Sequence, residues 1–205
     1  MISAVRRRQC AVKKGNSNIF VVPPFFFRSK QLVDAKRLKE VGPDRLCAEW
    51  LLRCGGSCKV VNRETWHSDY NALVSFTLKT RVEAIDGSNS CVNSGGFRHI
   101  HGLTALKAVK LDYCLHFCDS GLDHLAEVQE TLTRLRLSNC PQLTDAGLVE
   151  KIPALRNLSV LQLTHLPAVK DMNSVAGKLK EALPNCDIST DTTVVAEQEG
   201  SFFTF

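Results

Sequence analysis

The sequence predicts an α/β protein, a short leucine-rich-repeat solenoid of four ~26-residue repeats behind an N-terminal helical cap. Three observations predict it. Ile85, Leu111, Leu137 and Leu163 stand at successive intervals of 26 residues. The text around them recurs: Leu106-x-x-Val109-x-Leu111-x-x-Cys114, then Leu132-x-x-Leu135-x-Leu137-x-x-Cys140, then Leu158-x-x-Leu161-x-Leu163-x-x-Leu166. The second half of the unit recurs too, Asp119-x-Gly121-Leu122 matching Asp145-x-Gly147-Leu148. Such a repeat builds a surface for binding rather than a catalytic site.

Residues 1–29 read as a mitochondrial transit peptide or disordered leader. Arg6, Arg7, Arg8, Lys13, Lys14, Arg28 and Lys30 precede the first acid, Asp34, and an Arg-rich, acid-free start is the composition of a targeting segment. Val12 to Asn18 interrupts the apolar core that a secretory signal needs. The net charge of +5 therefore belongs to the leader. The body is close to neutral, which excludes a basic nucleic-acid footprint. No apolar run approaches the ~18–20 residues that span a bilayer, so any membrane association is expected to be peripheral, without a transmembrane span.

Residues 30–80 form the predicted cap. Leu32, Val33, Ala35 and Leu38 alternate with charge through Lys30–Glu40 as a short amphipathic helix. Gly42-Pro43 stops it, and Pro43 with Asp44 opens a second helix. Leu46, Cys47, Trp50, Leu51 and Cys54 follow at helical spacing, Gly55-Gly56 ends the run, and Cys58 to Asn62 reads as a strand. A solenoid exposes raw core at its ends, so Trp50 and Trp66 are expected to pack on the first repeat.

The repeats occupy residues 81–188, with strands at Val82–Asp86, Ala108–Asp112, Arg134–Ser138 and Val160–Thr164, each followed by a turn and a returning helix. The first is degenerate, with Ser88 in the Cys slot, and the last carries Leu166 there. Ala176–Leu183, stopped by Pro184, reads as the final helix. The tail, 189–205, is polar and reads as poorly ordered, and its aromatic end, Phe202-Phe203-Thr204-Phe205, is noted as able to dock.

Nine cysteines, an odd number, fit a reducing compartment better than a disulfide framework, and the repeat cysteines read as small buried hydrophobes. Cys114-x-His116-x-Cys118 lacks the second ligand pair of a zinc site. Cys54-x3-Cys58 has one residue too many for a redox motif. His99-x-His101 has no carboxylate partner. No phosphate loop or nucleophile elbow occurs, so the chain is read as not an enzyme.

The strands' other face carries the functional expectation. Alternation turns Ile85, Leu111, Leu137 and Leu163 inward. It turns Lys110, Arg136 and Gln162 outward as one ladder, read as a partner surface for an acidic segment. Asp86 and Asp112 fall in the next column ~5 Å apart, a like-charge pair that Mg²⁺ held by oxygens would relieve.

Several strings resemble a known family. Val41-Gly-Pro-Asp-Arg45, Glu49-Trp-Leu-Leu-Arg-Cys-Gly55, Trp66, Asp69-Tyr-Asn71, Ala84-Ile-Asp86 and Ser90-Cys91 are similar to the coupling factor B, or subunit s, family of mitochondrial ATP synthase (distal membrane-arm assembly complex protein 2-like). The resemblance covers about residues 30–188. It implies a non-enzymatic coupling factor on the matrix side of the inner membrane, partnered by ATP synthase subunits and supporting proton conduction coupled to ATP synthesis. It also implies a Cys-x-Cys dithiol at the end of the second repeat strand, of which this chain keeps only Cys114, with Cys118 four residues on. It further implies a Mg²⁺ site near Lys79 and Tyr113 through backbone carbonyls. Two other readings stay open: an assembly factor meeting complex I membrane-arm intermediates, and an F-box-like leucine-rich-repeat substrate adaptor.

Overall fold

The computed structural model describes residues 11–14, 18–21, 32–190 and 202–203. It is a mixed α/β architecture built on a seven-stranded sheet. Strands β1 (Ala11–Lys14) and β2 (Asn18–Val21) pair antiparallel, so part of the leader, expected to lack structure, carries a two-stranded ladder. Most other leader and tail residues lie outside the described set.

Helix α1 (Ala35–Arg53) is two helices joined at a kink. Asp34 caps the first, its carboxylate accepting from the amides of Lys36 (2.9 Å) and Arg37 (3.1 Å). Gly42, at φ 78°, breaks the helical path, and Pro43 restarts it because its missing N–H is one of the first-turn orphans anyway. The second leg buries Leu46, Cys47, Ala48, Trp50 and Leu51, and Gly55 at φ 89° follows it. Asp44 does more than favour the dipole. Its Oδ1 accepts the amide of Val82 at 2.8 Å, tying the cap to the first repeat strand.

Next come β3 (Ser57–Val60), β4 (Trp66–His67) and a 3-10 turn, Tyr70–Ser75. The repeat strands β5 (Val82–Asp86), β6 (Ala108–Asp112), β7 (Arg134–Ser138) and β8 (Val160–Thr164) have the expected bounds. The connections include a 3-10 helix, Ser94–Ile100, and helices α2 (Asp119–Leu125), α3 (Asp145–Lys151) and α4 (Met172–Ala182). A short β9 (Asp187–Ser189), inside the segment read as repeat end and tail, adds to β8. The sheet order is β4-β3-β5-β6-β7-β8-β9, parallel from β5 onward, with β3 and β4 antiparallel at one end. The last helix begins at Met172, four residues before its expected start, because Asp171 caps it by accepting from the Ser174 amide.

The register holds the main surprise. Between β6 and β7, and between β7 and β8, paired residues differ by 26, as in Leu111↔Leu137↔Leu163. Between β5 and β6 the offset is 24: Ile85 faces Val109 and Asp86 faces Lys110. The leucine column therefore meets Gly87, not Ile85, at the first strand, and a Cβ on Gly87 would lie 2.8 Å from Leu111 Cδ2. Left-handed residues mark the same corner of each turn, Asn89, Tyr113, Asn139 and His165, at φ 48–54°. Counted from that corner, the Cys slot of the first unit is Ser90. Its hydroxyl donates to the Gly87 carbonyl, to which the Cys114 thiol also points at 3.0 Å. Ser88, the expected occupant, has a buried Oγ without a hydrogen-bond partner among the described atoms.

The core lies between the sheet and the helices. Ile85, Val109, Leu111, Leu135, Leu137, Leu161 and Leu163 are fully buried there with Cys114 and Cys140. Successive turns are also stitched by side chains. Asp119 accepts from the Thr144 amide (2.9 Å) and hydroxyl (2.7 Å), and Asp145 accepts from the amides of Lys170 and Asp171. Trp50 covers the first unit as expected, stacked on His99 with centroids 5.0 Å apart and edge-on to Phe97. Trp66 does not. It is 36% exposed and its ring meets Phe203.

Candidate partner-binding face

Alternation along the strands gives the sheet a second face, opposite the helices. Residues paired across neighbouring strands share a face, so the register assembles this face row by row. One row runs Trp66, Lys59, Ala84, Ala108, Arg134, Val160 and Asp187. The next runs Ser57, Asp86, Lys110, Arg136, Gln162 and Ser189.

The expected ladder Lys110–Arg136–Gln162 is thus in register, but it is not the open surface the sequence suggested. Arg136 is 6% exposed and Gln162 2%, and Gln162 Oε1 is buried with no hydrogen-bond partner among the described atoms. An unmet buried acceptor costs about 1–3 kcal/mol. Lys110 Nζ lies 4.0 Å from Asp86.

That pairing overturns the acidic pair. The 24-residue offset sets Asp86 opposite Lys110 rather than Asp112. Asp86 Oδ1 accepts the Ser88 amide, and Asp112 Oδ1 accepts from Asn139 Nδ2, both at 2.9 Å. The two carboxylates do not face each other across the strand pair. Lys79 and Tyr113 are not brought together either. Lys79 precedes β5, whereas Tyr113 follows β6, so they lie toward opposite ends of this parallel pair. Among the described residues no group of three or more His, Cys, Asp and Glu side chains is placed to hold a metal. The residues present do not fit the implied Mg²⁺ site.

The thiols part company as well. Cys114 is buried and interacts with Cys140, one turn on. That hydrogen bond, then burial, pushes the Cys114 thiol well up, and the same bond holds Cys140 down. Cys118 is half-buried before α2. Burial would raise it, but hydrogen bonds with Ser120 and Ser94 outweigh this and draw it down. Cys114 and Cys118 are both free thiols, one buried and one half-buried. Among the other described cysteines, burial raises Cys58 to about 12 and Cys186 to about 11, the behaviour of inert core thiols.

The first row holds the place, not given by the sequence, where the aromatic end of the tail docks. Phe202, 4% exposed, packs with Ala84 and Ala108 in a small apolar cluster separate from the main core, with Phe203 against it. Arg134 Nη1 donates to the Phe202 carbonyl at 2.9 Å. The Phe203 and Trp66 rings meet edge to face, centroids 4.5 Å apart. A signal for this seat was present. Alanine is a poor strand former, yet it occupies adjacent central positions at 84 and 108, where it leaves room for a ring.

The cap carries a second polar cluster. Glu49 is buried among Arg37 (2.6 Å), Arg45 (3.3 Å) and Arg53 (3.8 Å). Burial alone would raise its carboxyl, but hydrogen bonds from Arg37 and Arg45 outweigh it and hold the carboxyl below the usual range. His99, under Trp50, is held below its ordinary value by burial first and by the charge of Arg53. At the strand ends, Tyr113, Leu115, Asn139, Pro141, His165, Leu166 and Pro167 line a cleft of about 460 Å³.

Over 98 residues the chain is 39% identical to "ATP synthase subunit s, mitochondrial" of Bos taurus, an alignment covering 47% of this chain and 49% of that protein. The protein of the same name from Macaca fascicularis is 39% identical over 110 residues, and that of Homo sapiens 38% over 109, each covering 51% of this chain and 54% of the relative. The chain is similar to mitochondrial ATP synthase subunit s. It spans about half the length of the curated relatives it matches, and no family profile matches it. No helix among the described residues is long and apolar enough to cross a membrane.

Proposed function

We propose that this chain is a non-enzymatic accessory factor of mitochondrial ATP synthase, supporting proton conduction coupled to ATP synthesis through protein–protein contacts on the matrix side of the inner membrane. The single observation that carries the reading is the identity of 38–39% to subunit s proteins of three mammals. The relatives lend nothing to the complex I or adaptor readings.

The architecture is in keeping with such a role. We read the 26-residue strand–turn–helix units as leucine-rich repeats, because their strands are parallel, in 26-residue register from β6 to β8, and buried by a leucine column. Such a stack offers rigid rows of side chains. The contact face is the sheet surface that carries Arg134, Lys110, Arg136 and Gln162, and its partner is a segment with acidic and hydrogen-bond-donating groups.

The test is co-purification. The tagged chain, expressed in cells and recovered from isolated mitochondria, is expected to bring ATP synthase subunits with it and to resist protease until the inner membrane is opened. Recovery only from the cytosol, or from mitochondria without any ATP synthase subunit, would overturn the proposal.

A further inference from the structure

The Phe202–Phe203 pair sits on the sheet face away from the main core, in an apolar cluster of its own with Ala84 and Ala108. Three features make this a seat rather than an incidental contact. The floor is two alanines in register on adjacent central strands, flanked by Lys59 on one side and Arg134 on the other. One wall is Trp66, an aromatic ring on a two-residue edge strand, set edge to face against Phe203. The third feature is Arg134, whose guanidinium holds the carbonyl of Phe202, a backbone atom that any residue would present. Side-chain shape is therefore read by Trp66, Ala84 and Ala108, and chain direction by Arg134. The adjacent row is the polar ladder of Asp86, Lys110, Arg136 and Gln162.

We propose that the row Trp66–Ala84–Ala108–Arg134 is a receptor for two adjacent aromatic side chains, filled here by the chain's own Phe202–Phe203, which gates access to the face. A partner reaching the polar ladder displaces this pair, presenting paired aromatics of its own to the same seat. The gating rests on the reading of this face as the partner surface. The receptor itself does not.

The test uses the full 205-residue chain and a fluorescein-labelled peptide, Gly-Ser-Phe-Phe-Thr-Phe, matching residues 200–205, followed by fluorescence anisotropy. The Phe202→Ala/Phe203→Ala double variant is expected to bind the peptide at least ~10-fold more tightly than the unaltered chain, whose seat is filled. Its Trp66 emission shifts to the red and returns when peptide is added. Ala108→Leu in the same background fills the floor and weakens peptide binding at least ~10-fold. Trp66→Ala, at a part-exposed position, does likewise should the leucine variant fail to fold by circular dichroism. Equal binding to the double variant and the unaltered chain, including none to either, overturns the receptor. So does binding unaffected by both seat substitutions. Failure of this assay leaves the mitochondrial reading standing, whereas intact peptide binding without ATP synthase co-purification overturns that reading alone.

Discussion

Replacing Gly87 with alanine tests the two-residue slip between the first two repeat strands. A Cβ at this position would lie 2.8 Å from Leu111 Cδ2 and 3.6 Å from Ser90 Oγ and Val92 Cγ2. Carbon atoms in contact prefer ~3.5–4.0 Å, so the methyl must displace Leu111, which is fully buried. Overpacking of a tight core costs ~1–3 kcal/mol. Loss of glycine's unfolded-state freedom returns ~0.4–1 kcal/mol. The expected net destabilisation is about 1–2 kcal/mol. Urea unfolding followed by circular dichroism, with a slope of ~2 kcal/mol per molar, should show a midpoint lowered by roughly 0.5–1 M. Leu111→Ala alone should cost ~2.7–5 kcal/mol. In the double variant the new methyl faces the vacated space, so the two changes should couple favourably by about 1–2 kcal/mol. In an unbroken 26-residue register Gly87 would face Tyr113 and a methyl there would touch nothing buried. A neutral Gly87→Ala, or a double variant additive within ~0.5 kcal/mol, would refute the slip.

Leu137→Asp, in an interior strand, places a charge in a fully buried column and should leave the chain unfolded at 25 °C, visible as loss of a cooperative melting transition. Asp119→Ala removes both bonds to Thr144 and should cost about 1–3 kcal/mol, with faster amide exchange at Thr144 and Gly147 as its local signature. Glu49→Gln should lower stability at pH 7 by about 1.5–3 kcal/mol, the range for hydrogen bonds to charged groups. The Glu49 carboxyl is depressed in the folded state. Its contribution is therefore present above the unfolded value of about 4.3 and lost as pH falls through the folded one. The gap between the variant and the unaltered chain should close on acidification below about pH 4. Asp44 works in the opposite sense, because burial raises it, so the comparison between variants, not the raw acid limb, is the measurement that decides.

What could be read in advance follows from what a repeat repeats. The strand bounds at 82, 108, 134 and 160, the kink at Gly42-Pro43 and the burial of Trp50 each rest on local chemistry or on a period that every copy states again. The register of β5 rests on neither. Ile85 and Leu111 are both apolar and 26 apart, so the pattern accepts Ile85 in the leucine column. Only the room that Leu111 demands beside Gly87, together with the left-handed corner at Asn89 rather than two residues earlier, settles the shift. The acidic pair failed with that register, since a two-residue slip keeps each side chain on its face but moves it to another row. The seat of Phe202 was illegible for a different reason. It joins residues about 68 and 118 positions apart, Arg134 to Phe202 and Ala84 to Phe202, and no period links them.

The two faces of these strands answer to different constraints, and this bears on where partner recognition resides. On the helix side each turn must fill the same space, so leucine returns at 111, 137 and 163 and cysteine at 114 and 140. On the other side no such volume has to be matched, and equivalent positions read Ala84, Ala108, Arg134 and Val160 in one row and Asp86, Lys110, Arg136 and Gln162 in the next. Variation along a row is what lets an otherwise repetitive sheet recognise one segment in one register. In the proposed receptor the alanine pair takes an aromatic group at one place and the neighbouring Arg134 holds its backbone at another. The buried, unmet acceptor of Gln162 adds a polar requirement one row away. If the proposed partner face is right, a partner meets both rows together, so substitutions in one row should couple energetically with those in the other, whereas substitutions in the leucine column should act on binding only through the stability of the fold.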